Sequence, residues 1–240
     1  MLFRSAELIR PSTVLPANRS PITIRTADGL NLIGEVARPL GESTGAILCL
    51  HPLPTHGGMM DSHIFKKAAN RLPAMAGITV VRFNTRGTSS EQGTSEGEFD
   101  SGDGEQFDVE AAIEFCFKQL QLKKVWLVGW SFGTEIALKH GKDTRVQGLI
   151  LLSPPLKRVT EKEFLWWKND QRIITALVPE FDEFLKPAEA IEQFAPLPNA
   201  NVISVTGAKH LWVGEPFVYR VLSEICRIVN PKALPLPEEF

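Results

Sequence analysis

Cysteine is scarce in this chain. Cys49, Cys116 and Cys226 are the only three in 240 residues, they show no C-x-x-C spacing, and each sits inside an apolar run. An odd, scattered set excludes a complete disulfide framework and the usual thiol redox motif, so reduced, buried packing residues are expected. Long apolar runs are missing as well. No stretch approaches the roughly 18 apolar residues of a membrane span, and Met1 to Pro16 has no apolar core of signal-peptide length. Neither charge is in excess: 26 Lys and Arg stand against 28 Asp and Glu, a net charge of -2. With the basic residues scattered, there is no electrostatic footprint for nucleic acid or an anionic membrane. Repeats and low-complexity tracts are also lacking. The expectation is a soluble, cytoplasmic protein with a small, neutral partner, no nucleic acid and no stable membrane insertion; a homodimer stays open.

What is present is enough apolar material for a sizeable core, 43% of the residues, in one domain over residues 1–240. Ile22 to Arg25 and Leu32 to Ala37, joined by Asp28-Gly29, read as a hairpin. Thereafter Ala46 to Leu50, Thr79 to Phe83, Val125 to Val128, Gly148 to Leu152, Ile173 to Val178 and Val202 to Val205 are apolar without alternation, as parallel strands covered on both faces are. Helical stretches at about His63 to Ala76, Glu105 to Leu120, Phe132 to His140, Ala188 to Phe194 and Phe217 to Val229 suit right-handed crossovers. The predicted class is α/β, a mostly parallel doubly wound sheet of about eight strands with an antiparallel N-terminal hairpin. Thr85 to Gly104 and Pro154 to Asp170 read as long loops, and Pro231 to Phe240 as a Pro-rich tail laid on the surface or frayed.

Gly129-Trp130-Ser131-Phe132-Gly133 joins the strand ending at Val128 to the helix beginning at Phe132. A G-x-S-x-G there marks a turn so sharp that the serine backbone is strained, and glycine on either side avoids Cβ clashes. The turn lifts the hydroxyl of Ser131 off the sheet, which makes it a candidate nucleophile. A serine hydroxyl needs a general base, and the base needs a third group to hold its tautomer. In chains with such an elbow the acid and then the histidine follow the serine. Only His140 and His210 follow Ser131, and His140 lies on the helix leaving the elbow, so His210 is the expected base. Glu180, Asp182 and Glu183 compete for the acid, with Asp170 as an outsider. Asp182 is preferred because the carboxylate must leave the strand end by about one turn. The oxyanion formed on attack calls for backbone amides. Phe132 supplies one, and His51-Pro52-Leu53-Pro54 supplies the other through Leu53, since proline has no N–H.

With these residues assigned, the chain resembles the α/β-hydrolase fold superfamily, in particular its small, weakly capped esterase-like members. The likeness runs in motif order over roughly residues 20 to 230. His51-Pro52 followed by Gly57-Gly58 resembles the oxyanion turn, Phe83-Asn84-Thr85-Arg86-Gly87 its supporting loop, and Ala208-Lys209-His210 the small-x-His turn. Pro179-Glu180-Phe181-Asp182 stands where relatives often have G-x-x-D, with proline for glycine. The resemblance implies hydrolysis of an ester, thioester or amide, without naming a substrate.

The segment 154–171 is too short for a helical lid and is expected to be an aromatic cap or flap. Trp166 and Trp167 in it, with Trp130 and Trp212 beside the site, are candidate substrate-binding residues. His51, His56 and His63 match no standard ligand spacing, so no metal is expected. The acidic run Glu96, Glu98, Asp100, Asp103, Glu105 and Asp108 reads as a solvated loop with acids at a helix N-terminus. The leading expectation is a serine carboxylesterase that needs no cofactor and acts on small or medium acyl esters. The alternatives are a thioesterase, acyltransferase or peptidase with the same residues, and a noncatalytic binding protein on the same fold.

Overall fold

Burial alternates along the first strands, as it does when one sheet face is solvated. In the computed structural model, which describes residues 7–240, β1 (Asn18–Arg25) and β2 (Asn31–Arg38) pair antiparallel across a turn where Gly29 takes φ +95°. Burial then becomes continuous. β3 (Gly45–Leu50) is followed by α1 (His63–Ala76) and β4 (Ile78–Phe83), both strands being buried at every position. A two-residue ribbon, β5 (Ser89–Ser90) with β6 (Gly93–Thr94), interrupts the next loop. After it come α2 (Glu105–Lys118), β7 (Val125–Trp130), α3 (Phe132–His140) and β8 (Val146–Leu152). The chain ends with α4 (Glu161–Leu165), β9 (Ile173–Pro179), α5 (Pro187–Phe194), β10 (Ala200–Val205) and α6 (Glu215–Val229).

The eight long strands form one sheet in the order β1-β2-β4-β3-β7-β8-β9-β10, parallel from β4 to β10, with β2 antiparallel to β4. The six parallel strands and the hairpin lie where the apolar runs predict them. From β3 the chain first crosses to β4 on one side and then returns to β7 on the other, so the strand order reverses around β3. Open α/β sheets bind ligands beyond the carboxyl ends of the strands at such a reversal. α1 and α6 pack on one face with Ile64, Phe65, Leu72, Val221 and Ile225, and α2, α3 and α5 on the other with Val109, Ile113, Ile136, Ala190 and Phe194.

The structure departs from the sequence expectation in three places. β10 is an edge strand and stays half exposed, although its apolar run suggested cover on both faces. Pro154 to Asp170 is not all loop: a capping box of Thr160 and Glu163 starts α4, and a 3-10 turn, Trp166–Asn169, follows. The acidic run is not uniformly solvated either. Glu105 is buried and accepts from the amides of Asp100 and Gly102, and buried Asp108 pairs with Arg86. The C-terminal segment, mostly exposed, buries Leu236, receives the Tyr219 hydroxyl on the Leu236 carbonyl at 2.7 Å, and bridges Leu8 through Glu239.

All three cysteines are free and buried. Burial pushes the Cys49 thiol well above its ordinary value, Cys116 up to about 12 and Cys226 to about 11. The native protein is therefore expected to resist a thiol reagent at pH 8 and to release all three cysteines when denatured. Rapid labelling of any of them in the folded state would contradict this packing.

Candidate active site

β7 enters a turn whose geometry only glycine neighbours allow. Ser131 adopts φ 53°, ψ −117°, a strained conformation for a residue with a side chain. A Cβ on Gly129 would lie 2.4 Å from the Gly133 carbonyl oxygen, and one on Gly133 would lie 1.8 Å from the Leu50 oxygen and 2.9 Å from that of His51. The missing side chain at Gly133 thus brings the turn after β3 directly against the start of α3. The Ser131 amide bonds the Leu152 carbonyl at 2.9 Å, and the Thr134 hydroxyl bonds the Ser131 carbonyl at 2.6 Å.

The structure brings Ser131, His210 and Asp182 into one relay. His210 Nε2 lies 2.9 Å from Ser131 Oγ, and Nδ1 lies 2.8 Å from Asp182 Oδ2. An ionised carboxylate accepts only, so Nδ1 carries the proton and the Nε2 lone pair faces the serine. Burial tends to raise the Asp182 pKa, but the bond from His210, the Phe184 and Leu185 amides and the attraction of His210 outweigh it and hold the carboxyl below its ordinary value. Of the rival acids, Glu183 is exposed and the other two are engaged otherwise. Glu180 accepts from the Gly207 amide at 2.7 Å, which ties the acid loop to the base loop, and Asp170 pairs with Arg172.

The turn carrying Leu53 is organised by His51. Its ring is buried, and Nε2 must accept because the Thr85 amide, 3.1 Å away, can only donate. Nδ1 then donates to the Pro52 carbonyl at 2.7 Å. Across a trans peptide the next N–H points opposite to that carbonyl, so the bond from His51 sets the direction of the Leu53 amide. Gly58 folds back beneath it: its amide bonds the Leu53 carbonyl at 3.0 Å, and a Cβ there would lie 2.0 Å from the Pro52 oxygen. Arg86, on the Thr85 loop, donates its amide and guanidinium to Asp108 at 2.8–3.1 Å, which fixes the loop to α2.

The tryptophan expectations need correction. Trp167 is completely buried and donates to the Leu138 carbonyl at 2.9 Å, near the far end of α3. Trp166 is exposed, but its ring sits by Lys142 and Arg172, at the end of the sheet away from Ser131. Trp212 is completely buried, and Trp130 is 2% exposed and bonded to the His210 carbonyl. The 154–171 segment therefore does not form an aromatic flap over the serine. Instead Phe184, which the sequence reading passed over, lies edge-on to the His210 ring at 4.6 Å between centroids. Phe181, Phe184, Leu211 and Val213 are exposed on the two loops that carry Asp182 and His210. Their signal in the sequence is two large apolar residues within three positions of each of Asp182 and His210.

The three candidate metal histidines serve separate ends: His51 as above, His56 beside the Thr55 hydroxyl, and His63 on the Leu211 carbonyl at 2.7 Å. Among the described residues, no helix is long and apolar enough to cross a membrane.

The chain is similar to known proteins in sequence and fold. Residues 45–211 match the family described as alpha/beta hydrolase fold. A serine hydrolase without lid from Xanthomonas campestris is 26% identical, with a TM-score of 0.70 over 94% of this chain and 100% of that one. A serine hydrolase homologue from Coxiella burnetii (24% identical, TM-score 0.71, 92% of this chain and 99% of that one) and an esterase from Pyrococcus furiosus (18%, 0.73, 95% and 99%) share the fold. An uncharacterized protein of Rickettsia prowazekii (strain Madrid E) is 29% identical over 133 residues, 55% of this chain and 54% of that protein's length. The match thus spans about half of that relative.

Burial lowers the His51 pKa to about 4, against the partial support of the Pro52 bond. The unfolded chain takes up this proton near pH 6.5, roughly the ordinary histidine value, while the folded ring stays neutral. The stability that His51 contributes is therefore intact above about pH 6.5 and declines as the pH falls from there toward about 4. Denaturant midpoints across that range should flatten in His51→Asn, which keeps a donor for Pro52 but does not titrate; an unchanged slope would refute a neutral buried ring. His51→Ala should lower kcat by roughly ten- to a hundredfold on any turned-over substrate, because the Leu53 amide loses its aim.

Proposed function

The chain belongs to the alpha/beta hydrolase fold family, and from that premise we propose that it is a serine hydrolase cleaving carboxylic esters of small or medium acyl chain through an acyl-enzyme. The observation that carries the reading is the unbroken relay from Asp182 Oδ2 to His210 to Ser131 Oγ, with both hydrogen bonds under 3 Å and the serine on a strained elbow.

In the proposed reaction Ser131 Oγ attacks the ester carbonyl carbon as its proton passes to His210 Nε2. The former carbonyl oxygen gains the charge and accepts from the Phe132 and Leu53 amides. Collapse breaks the bond to the alcohol oxygen, and Nε2 returns the proton to the departing alkoxide. Water then attacks the acyl-serine, giving its proton to Nε2. The acid leaves and Ser131 recovers the proton. Asp182 stays ionised throughout, orienting the ring and stabilising the imidazolium. Each of these steps is carried by the chain's own side chains and amides.

Support for an apolar acyl group comes from the rim. Phe184 against the His210 ring, with Phe181, Leu211 and Val213 exposed nearby, offers apolar surface at the relay. The likeness to a serine hydrolase without lid fits an open cleft that admits substrates without a closing step. A thioester or amide would pass through the same relay, so the leaving group is a matter for a substrate panel.

A fluorophosphonate probe should label Ser131 in the folded protein and not after heat denaturation, as read by peptide mass spectrometry. Esters should turn over faster than matched acyl-thioesters and amides. Ser131→Ala and His210→Ala should each lower kcat by roughly six orders of magnitude and Asp182→Ala by roughly four. No labelling, together with tight stoichiometric ligand binding, would favour a noncatalytic protein on this fold. Phe184→Ala should raise KM for longer acyl chains more than for acetyl esters; an unchanged chain-length profile would remove Phe184 from the binding surface.

A further inference from the structure

Two side chains that take no part in proton transfer converge on a single backbone atom of His210. Its carbonyl oxygen accepts from Trp130 Nε1 at 3.1 Å and from the Ser153 hydroxyl at 3.1 Å, which occupies both lone pairs of that carbonyl. Trp130 is the last residue of β7, and Ser153 directly follows β8, whose Leu152 is the registered partner of Trp130. Both donors are buried and stand on the rigid ends of neighbouring central strands.

Each donor is itself held in place. The Trp130 ring meets His63 edge-on at 5.3 Å and Phe65 at 6.2 Å, so α1 fixes its rotamer. Ser153 takes φ 52°, in the left-handed region that a non-glycine residue enters only at an energetic penalty, while its amide bonds the Leu177 carbonyl at 2.9 Å. Strain of this kind persists only where the surroundings over-determine it, and it collects at functional sites.

The imidazole needs such help. Its bonds to Asp182 and Ser131 are made by the ring and do not themselves fix the His210 backbone. The His210 loop is bounded by Gly207 at φ +75° and Gly214 at φ +114°, both in a region open to glycine but strained for other residues. His63 also grips the next carbonyl, that of Leu211, at 2.7 Å, and the Trp212 amide closes onto the Lys209 carbonyl at 2.9 Å. A loop carbonyl at the surface could bond water instead; here two buried side chains, one of them strained, serve one oxygen.

We propose that Trp130 and Ser153 are positioning residues that clamp the His210 backbone to the ends of β7 and β8 and so hold Nε2 at reacting distance from Ser131 Oγ. The inference rests on the roles proposed above for Ser131 and His210. Reaction rates respond steeply to such placement, and a shift of about 1 Å can lower them by two orders of magnitude.

The test uses the whole chain. Trp130→Phe removes the indole N–H and keeps most of the apolar ring. Ser153→Ala removes the hydroxyl, and Ser153→Gly removes it while also releasing the left-handed strain, so it is the variant whose folding is least at risk. Each should lower kcat roughly tenfold, and Trp130→Phe with Ser153→Ala about a hundredfold, with KM within about twofold of wild type and slower fluorophosphonate labelling of Ser131. Tyr219→Phe, on α6, deletes a comparable bond to the Leu236 carbonyl of the C-terminal segment and should keep wild-type kcat. Wild-type kcat and labelling in Ser153→Gly overturn the clamp and leave the ester hydrolase reading intact. A wild-type protein that never labels at Ser131 overturns that reading and the clamp with it.

Discussion

The site depends on one steric contact, between the backbone at Gly133 and the carbonyl of Leu50. There is room for a hydrogen atom at that position and nothing larger, since a Cβ would lie 1.8 Å from the oxygen. This contact sets the start of α3, which carries Ser131 and Phe132, against the end of β3, from which the Leu53 turn departs. The serine conformation that this demands carries a penalty of about 1–3 kcal/mol. Bonds from the Ser131 amide to Leu152 and from Thr134 to the Ser131 carbonyl offset it. Close packing makes such a contact all-or-none, because the backbone cannot yield by half an ångström without disturbing both central strands.

Two buried histidines near this contact have different chemistry, and their environments explain why. Both ring nitrogens of His51 face backbone groups, one accepting and one donating, in a setting that strongly favours the neutral ring. His51 can therefore aim a peptide but does not exchange protons near neutral pH. His210 lies between a carboxylate that stabilises its charged form and a hydroxyl that can give up a proton. Its backbone carbonyl is bonded by Trp130 at the end of β7 and Ser153 just after β8, while its two ring nitrogens face Asp182 and Ser131. Rigid support outside the ring, with a carboxylate and a hydroxyl on it, suits the general-base role proposed for His210.

Much of this was readable along the chain. Continuous apolar runs located the parallel strands, because a strand covered on both faces leaves no position for a polar residue, and alternation marked the solvated hairpin. The order serine, acid, histidine led to Ser131, Asp182 and His210, since each follows a strand end on the same side of a parallel sheet. The aromatic flap misled because spacing does not say which way an insert turns. The capping box at Thr160 and Glu163 starts a helix that swings Trp167 under α3. There its indole meets the Leu138 carbonyl, one of those that the helix's last turn leaves unpaired. Phe184 illustrates the converse: nothing in the local pattern signals that its ring faces the His210 imidazole.

The amino-acid sequence by itself determined the fold class, the elbow and the membership of the relay, because these rest on periodicity, on glycine where no side chain fits, and on chain order. The tertiary structure alone decided what surrounds the relay: the aim of the Leu53 amide through His51, the two donors on the His210 carbonyl, and the apolar rim. Those features join residues 26 to 80 positions apart in the chain. Such contacts exist only after the sheet has brought the strand ends together, and local sequence preferences carry no record of them.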